Sequence, residues 1–107
     1  MTDLFTYLAQ AEGTDLRSKY ERFHRDNPWV MEHLARLALD LRSRGVRQYG
    51  VAALFEVLRY QHTMRAEDAN SPFKLSNSYR AFYARDLMRL YPSLDGFFVT
   101  RPSVADE

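Results

Sequence analysis

The sequence predicts a mainly helical (α+β) domain of five helices with a small β element of two or three strands. Apolar residues recur every three or four positions over most of the 107-residue chain, the period of amphipathic helices. The four glycines fall at the ends of these periodic segments. Two short runs, 73–75 and 97–100, are instead typical of strands. The length and the 46% hydrophobic content indicate a single compact domain over residues 1–107.

Residues 1–26 are expected to form two short helices that act as a scaffold. Thr2 is a suitable N-cap for the first helix, and Gly13 is a natural stop. The second helix begins near Thr14 or Asp15. Its apolar residues lie on one stripe with charged residues off it, as in a surface helix packed on a body. This stripe consists of Leu16, Tyr20 and Phe23.

The third predicted helix has clear start and stop signals. Asn27 followed by Pro28 predicts a helix start, because Asn can accept a free main-chain amide and Pro lacks an N–H that would have no partner there. The helix should run to about Arg44 and stop at Gly45. Its regular apolar stripe consists of Val30, Leu34, Leu37, Ala38 and Leu41.

A fourth helix, with Val51, Leu54, Phe55 and Leu58 on its apolar stripe, is predicted for residues 51–63, after a short β-tolerant piece at 46–49. His62 closes the inward apolar stripe of this helix, which favours a hydrogen-bonded core histidine over a metal ligand. Residues 64–72 are polar and end in Pro72, so they are expected to form a loop and to be the most mobile segment.

The stretch 73–101 is predicted to hold the functional site. Residues 73–75 alternate like an edge strand, Ser76 or Asn77 caps a helix over residues 78–91, and Pro92 ends it. Residues 93–96 then turn the chain into a strand at 97–100. A loose tail is expected from residue 102 onward.

A helical wheel divides residues 78–91 into a core side and an outward side. The core side consists of Tyr79, Tyr83, Leu87, Leu90 and Tyr91. The outward side consists of Ser78, Phe82, Arg85 and Arg89. Arginines on an exposed stripe can contact phosphates, and a helix N-terminus offers free amides to an acidic backbone. The alternative is an ordinary solvated surface, in which the arginines pair with Asp86 and Phe82 packs under the strand at 97–100.

The order of elements over residues 27–101 resembles the winged-helix branch of the helix-turn-helix family. Three helices with a short extended piece after the first and a strand after the last carry this resemblance. It implies that the last helix enters the major groove of duplex DNA and that the strand lies along the backbone as a wing. The nucleic-acid-binding residues are then Lys74, Asn77, Ser78, Phe82, Arg85, Arg89 and, on the wing, Arg101.

Four segments also resemble short proteins carried by bacteriophages and prophages of high-GC bacteria. They are NPWV at 27–30, YGVAALFEVLRY at 49–60, FKLSNSYRAFYAR at 73–85 and YPSLDGFF at 91–98. This resemblance implies a regulatory or host-directed role. The first hypothesis is therefore a phage regulator that binds duplex DNA. The alternative is a small, anti-CRISPR-like inhibitor that binds a host enzyme or defence complex.

The abundance of aromatic side chains and arginine supports the protein-binding alternative. The chain has seven tyrosines, seven phenylalanines and one tryptophan, and its fifteen basic residues are all arginine except Lys19 and Lys74. Trp29 falls on the polar side of its helix, either as a lid over the N-terminal helices or as an exposed interface anchor. A homodimer through the N-terminal helices is compatible with both hypotheses.

The net charge of +1 does not distinguish the two hypotheses, but the positions of the arginines in the folded chain are expected to do so. Convergence on one face favours nucleic acid, and scattering among acidic residues favours a protein partner. The arginines concerned are Arg36, Arg42, Arg44, Arg47, Arg85, Arg89 and Arg101.

Several chemistries find no support in the sequence. Without cysteine the chain has no disulfide, thiolate zinc site or thiol nucleophile, and none of its three histidines has a partner at metal-ligand spacing. No glycine-rich phosphate loop or nucleophile motif is present, so neither enzymatic activity nor a cofactor is expected. No apolar run is long enough to span a bilayer and the N-terminus is acidic, so we expect a cytoplasmic protein without a membrane partner.

Overall fold

The computed structural model describes the main chain of residues 4–68, 70, 73–100 and 105, and within these ranges the side chains from residue 15 onward. This part of the chain contains four α-helices: α1 (Leu4–Asp26), α2 (Pro28–Ser43), α3 (Val51–Arg65) and α4 (Arg80–Leu90). Short 3-10 turns at Asn77–Tyr79 and Pro92–Leu94 flank α4. Because the described residues form no strand, the predicted α+β class is wrong, and the fold they define is all-helical.

α1 is one helix of 23 residues where two were predicted, so the predicted count of five helices is also wrong. The helix continues through Gly13, whose cost inside a helix is only about 1 kcal/mol relative to Ala. A break at this point would leave main-chain groups at two new helix ends without intrahelical partners. The continuous hydrogen-bond ladder therefore outweighs the glycine.

Asn27 joins α1 to α2 in a different way from the one predicted. Its side chain does not cap α2. Instead, Asn27 Nδ2 donates to the Phe23 carbonyl at 3.0 Å, and the Asn27 main-chain N–H donates to the same oxygen at 2.9 Å. Asn27 thus closes the end of α1, while Pro28 begins α2 as predicted. Only one residue separates the two helices, so the chain turns sharply between them.

The predicted stop of α2 at Gly45 is confirmed. Gly45 has a φ of +94°, in the left-handed region that favours glycine. The next N–H, that of Val46, donates back to the Leu41 carbonyl at 3.1 Å, which satisfies one of the free carbonyls at the helix end. The start of α3 at Val51 is also as predicted.

Neither predicted strand forms. Phe97 and Phe98 are both buried, although neighbouring residues of a strand point to opposite faces of a sheet. Only one described main-chain hydrogen bond joins residues 97–100 to another segment, from the Tyr49 N–H to the Phe97 carbonyl at 3.1 Å. In the 73–75 run, the Leu75 carbonyl accepts from the Arg59 side chain. A wing needs paired strands, so the predicted winged-helix architecture is wrong for this part of the chain.

The core lies where α2, α3 and α4 meet, and the last turns of α1 and the segment after α4 close it. The predicted inward residues of α2 and α3 are mostly confirmed. Those that are fully or nearly fully buried are Val30, Leu34, Ala38, Leu54, Phe55 and Leu58. Burial of such side chains is the main stabilising contribution to the fold, at about 1.5–3 kcal/mol for each large aliphatic or aromatic residue.

Candidate functional site

The outward stripe predicted on α4 is not an exposed surface. Phe82 is only 3% exposed and stacks on Tyr20 of α1, with ring centroids 4.8 Å apart and planes 17° apart. The Arg17 guanidinium of α1 lies 5.2 Å from the centroid of the Phe82 ring. The predicted outward position of Phe82 is therefore wrong. The helical wheel assumed one covered side, whereas α4 is covered by α1 as well as by α2 and α3.

The arginines of this stripe are engaged within the chain. Arg89 Nη2 pairs with Asp86 Oδ1 at 3.2 Å, and Asp86 Oδ2 accepts a hydrogen bond from the Tyr20 hydroxyl at 2.5 Å. Arg85 Nη1 donates to the Ala81 carbonyl at 3.2 Å. The alternative interpretation, an ordinary solvated surface, is confirmed for Arg89 and Asp86, because these two residues form an ion pair at the surface.

The remaining predicted nucleic-acid residues are dispersed. Ser78 belongs to the Asn77–Tyr79 turn, where its N–H donates to Ser76 Oγ at 3.2 Å. Ser76 therefore caps this turn, whereas α4 begins at Arg80, two residues later than predicted, and has no side-chain cap. Asn77 Oδ1 accepts from Arg59 of α3 at 2.6 Å. Lys74 is exposed beside the same arginine. Arg101 lies outside the described residues.

Trp29, the predicted interface candidate, is half-buried in the first turn of α2. Its ring stacks on His62 of α3, with centroids 5.5 Å apart and planes 17° apart, and lies 4.9 Å from the ring of Phe73. Phe73 and His62 are themselves 4.6 Å apart, so three chain segments contribute one ring to a single cluster. Neither predicted role, lid over the N-terminal helices or exposed anchor, describes Trp29 fully.

Two adjoining pockets open beside this ring cluster and share His62 and Phe73. One has a volume of about 340 Å³ and is also lined by Arg59, Thr63, Lys74 and Leu75. The other has a volume of about 300 Å³ and is also lined by Trp29, His33, Leu58 and Arg65. None of the described residues that line the two pockets is acidic. We call the following side chains the basic–aromatic face: Trp29, His33, Arg59, His62, Arg65, Phe73 and Lys74.

Arg59 holds together the two sides of the first pocket. Its Nη2 donates to the Leu75 carbonyl at 2.5 Å and to Asn77 Oδ1, while Nη1 pairs with Glu56 one turn earlier on α3. The guanidinium also lies 5.7 Å from the centroid of the Phe55 ring. Because these contacts occupy its donors and partly neutralise its charge, Arg59 positions the segment that carries Phe73 and Lys74.

Arg65 and Lys74 are the exposed cations of the face, one beside each pocket. Neither forms an ion pair with an acidic side chain in the described part of the chain. The acidic residues nearest in sequence, Glu67 and Asp68, are exposed in the loop after α3. His33 is held by its side-chain contact with Gln61, the Nε2 and Oε1 atoms being 2.5 Å apart. The ammonium and the free guanidinium therefore remain available to an anionic ligand.

His62 does not fit its predicted role as a hydrogen-bonded core histidine. It is half-buried, and its Nε2 is buried without a hydrogen-bond partner among the described residues. The imidazole stacks on Trp29 and meets the Phe73 ring at an angle of 44°.

A wider groove of about 660 Å³ lies at the other end of α2. Arg42 and Arg47 line it, but so does Asp95, and none of its described lining residues is aromatic. Arg44 pairs with Asp40 and Arg89 with Asp86, each at 3.2 Å, so four of the arginines singled out in the sequence lie beside acidic residues. By the criterion set above, this placement favours a protein partner over duplex DNA for the surfaces that carry these arginines.

Tyr20 of α1 and Tyr83 and Asp86 of α4 form a partly buried cluster between the two helices. Burial, followed by the hydrogen bond to the Asp86 carboxylate, raises the pKa of Tyr20 above its ordinary value. Burial likewise raises the pKa of Tyr83, whose hydroxyl has no described hydrogen-bond partner. Both tyrosines therefore stay protonated at neutral pH. The cluster serves the packing of α1 on α4.

Comparisons of the chain with known protein families, with curated proteins and with solved structures found no match. None of the helices that the structure describes is long and apolar enough to cross a membrane. Among the described side chains, no group of three or more histidine, aspartate or glutamate residues could hold a metal ion.

Sequence reasoning missed most of this face. Arg59, His62 and Arg65 recur every third residue of α3, and Phe73 directly precedes Lys74. Basic residues interleaved with aromatic ones are a pattern typical of nucleic-acid-binding surfaces, and this pattern could have identified them. This pattern of basic and aromatic residues was hard to recognise because a polar loop separates the residues of α3 from Phe73 and Lys74 in the sequence.

Proposed function

We propose that the protein is a non-catalytic nucleic-acid-binding module that acts in the cytoplasm and uses the basic–aromatic face. The observation that carries this proposal is the position of Arg65 and Lys74 beside two pockets that share the His62 and Phe73 rings. A nucleic acid presents anionic phosphates next to planar bases, and cations beside aromatic rings complement both.

The proposal moves the contact surface from α4 to α3 and the segment before α4. Of the residues predicted from the sequence to bind nucleic acid, Lys74 remains a proposed phosphate contact. Asn77 is kept only indirectly, because its amide helps to place Arg59. Phe82 is excluded by its burial. A regulatory role in a phage or prophage is part of the proposal and is supported by the resemblance of the four sequence segments described above.

Fluorescence anisotropy with labelled single-stranded and duplex oligonucleotides tests this function. We expect binding that weakens as salt rises, because phosphate contacts release counterions. The double variant Arg65→Ala, Lys74→Ala should bind more weakly, and the log–log salt slope should fall by about 0.7–0.9 for each lost contact. Arg44→Ala is the matched control, since Arg44 is an exposed arginine outside the face and pairs with Asp40. Absence of binding to every oligonucleotide at low salt would refute the proposal.

A second candidate function, binding of a host enzyme or defence complex, is favoured by one observation. Tyr60 and Met64 lie one turn apart on α3 and are 66% and 67% exposed. Tyrosine and methionine are enriched at protein interfaces. Affinity purification from host cells should then recover a protein with the wild type and not with Tyr60→Ala, Met64→Ala. Oligonucleotide binding, if present, should be unchanged in that double variant.

A further inference from the structure

We infer that the basic–aromatic face takes unpaired bases of a single-stranded nucleic acid and not the paired bases of a duplex. This inference rests on the proposed nucleic-acid function and specifies its ligand. The ligand chemistry is a planar base carried on a phosphate backbone, which single-stranded DNA and RNA share.

The size of the two pockets is the first argument. At about 340 and 300 Å³ they lie at the lower end of the range of about 300–1,000 Å³ that is usual for small-molecule sites. Trp29, His62 and Phe73 are half-buried, so each ring is anchored in the fold and still has some surface exposed. A concave site of this size with aromatic walls suits one planar group at a time.

The shape of the surrounding surface is the second argument. Reading a duplex requires an element that protrudes into a groove, commonly a helix with several outward side chains. α4 was the candidate for that element, but Phe82 of its outward stripe is buried against Tyr20 and Arg89 of the same stripe pairs with Asp86. In a duplex the bases are stacked and paired, so they cannot enter a pocket without being flipped out. An unpaired base can lie against an aromatic ring directly.

The placement of charge is the third argument. Lys74 lies beside one pocket and Arg65 beside the other, with the His62 and Phe73 rings common to both. A strand that crosses the face can therefore place a phosphate at each cation and a base against the shared rings. Arg59 acts here as a positioning residue, since its bonds to Leu75 and Asn77 hold the segment with Phe73 and Lys74 against α3.

Trp29 makes the inference directly testable, because it is the only tryptophan of the chain and contacts both shared rings. Its fluorescence is followed as the wild-type protein is titrated with short oligothymidylate and oligouridylate strands. The same titration is made with a strand of equal length that carries abasic sites and with a duplex. We expect the intact single strands to change the fluorescence and to bind more tightly than the other two ligands, by about 5- to 150-fold for each stacked base.

A matched pair of variants locates the base. Phe73→Leu removes an aromatic ring from the face and should abolish most of the preference for intact over abasic strands. Tyr60→Leu removes an exposed aromatic ring of α3 that lines neither pocket, and it should leave the preference unchanged. Circular dichroism melting checks that both variants fold. If Phe73→Leu does not fold, the wild-type comparison of intact and abasic strands still decides the question.

The outcomes separate this inference from the function on which it rests. Equal affinity for intact and abasic strands, or tighter binding of duplex, would overturn the inference while nucleic-acid binding stands. Loss of base preference in Tyr60→Leu but not in Phe73→Leu would overturn it as well. If no strand and no duplex binds, the proposed function fails together with this inference.

Discussion

Arg59 and Asn77 link α3 to the turn before α4, with 2.6 Å between Arg59 Nη2 and Asn77 Oδ1. The same nitrogen donates to the carbonyl of Leu75, whose side chain is buried in the core. Phe73 and Lys74 directly precede Leu75, so this link determines where one ring and one cation of the basic–aromatic face lie. Asn77 was predicted to contact DNA, but its side chain has a structural partner.

Replacing Arg59 by Met should lower the free energy of unfolding by about 1–3 kcal/mol, because the Leu75 carbonyl and the Asn77 amide lose their donor. Urea denaturation followed by circular dichroism measures this change. Arg44→Met is the control: its exposed pair with Asp40 should contribute no more than about 0.5 kcal/mol. Equal stabilities of the two variants would show that the Arg59 link does not stabilise the fold.

Phe82→Ala should destabilise the protein by about 3–5 kcal/mol, since it removes a buried ring that stacks on Tyr20. Leu90→Ala, on the same helix, should cost about 0.5 kcal/mol because Leu90 is 50% exposed. The helical wheel predicted the opposite order, because it placed Phe82 on the outward side of the helix and Leu90 on the core side. Thermal or urea unfolding of both variants tests it, and a mild effect of Phe82→Ala would argue for the outward position.

Two buried tyrosines are expected to respond differently to loss of the hydroxyl. Tyr20→Phe removes the donor to Asp86 and should cost about 1–3 kcal/mol, as expected for a hydrogen bond to a charged group. Tyr83→Phe should be neutral or stabilising at pH 7, because the Tyr83 hydroxyl is buried without a described partner. Unfolding free energies at pH 7 decide the point. A large loss in Tyr83→Phe would reveal a partner for that hydroxyl.

The stability of the protein should fall above a pH of about 10, the ordinary pKa of tyrosine. Burial raises the pKa of both Tyr20 and Tyr83 in the folded state, so the folded state binds these protons more tightly than the unfolded state. Their contribution is fully present below the unfolded pKa and is lost as the pH rises beyond it. Urea unfolding between pH 8 and 11 should show this loss, and Tyr83→Phe should reduce it. An unchanged alkaline profile in that variant would contradict the assignment.

Gly45→Ala should destabilise the protein by about 1–2 kcal/mol, because a φ of +94° is unfavourable for any residue with a Cβ. Gly50 provides a control, since its φ of −81° suits all residues and it occupies the N-cap position of α3. Gly50→Ser should stabilise by about 0.3 kcal/mol through a side-chain cap. No described heavy atom lies within 4 Å of a Cβ added at either glycine, so a steric clash contributes to neither change. Similar melting temperatures for both variants would count against it.

Helix boundaries were predictable where local chemistry sets them. Pro28 begins α2, Gly45 ends its last turn and Val51 begins α3, each as expected. These signals concern main-chain hydrogen bonds and φ angles within a few residues, so no knowledge of the fold is needed. Gly13 is the exception, because its small local cost did not interrupt α1.

The all-helical class and the candidate site depended on contacts between distant residues. Residues 97–100 favour a strand by composition, but they have no strand to pair with among the described residues and bury both Phe97 and Phe98 instead. Phe82 is buried because α1, more than 60 positions earlier in the sequence, covers it with Tyr20.

The sequence by itself determined the helical segments and most of the residues of the core, because helical periodicity and end signals are local properties of the chain. Only the tertiary structure decided which sides of α4 are covered and which rings and cations meet. Trp29, His62 and Phe73 come from three segments, and nothing in the local pattern of one segment indicates the others. Burial and side-chain proximity are properties of the packed chain, so the basic–aromatic face exists only once α2, α3 and residues 73–77 have assembled.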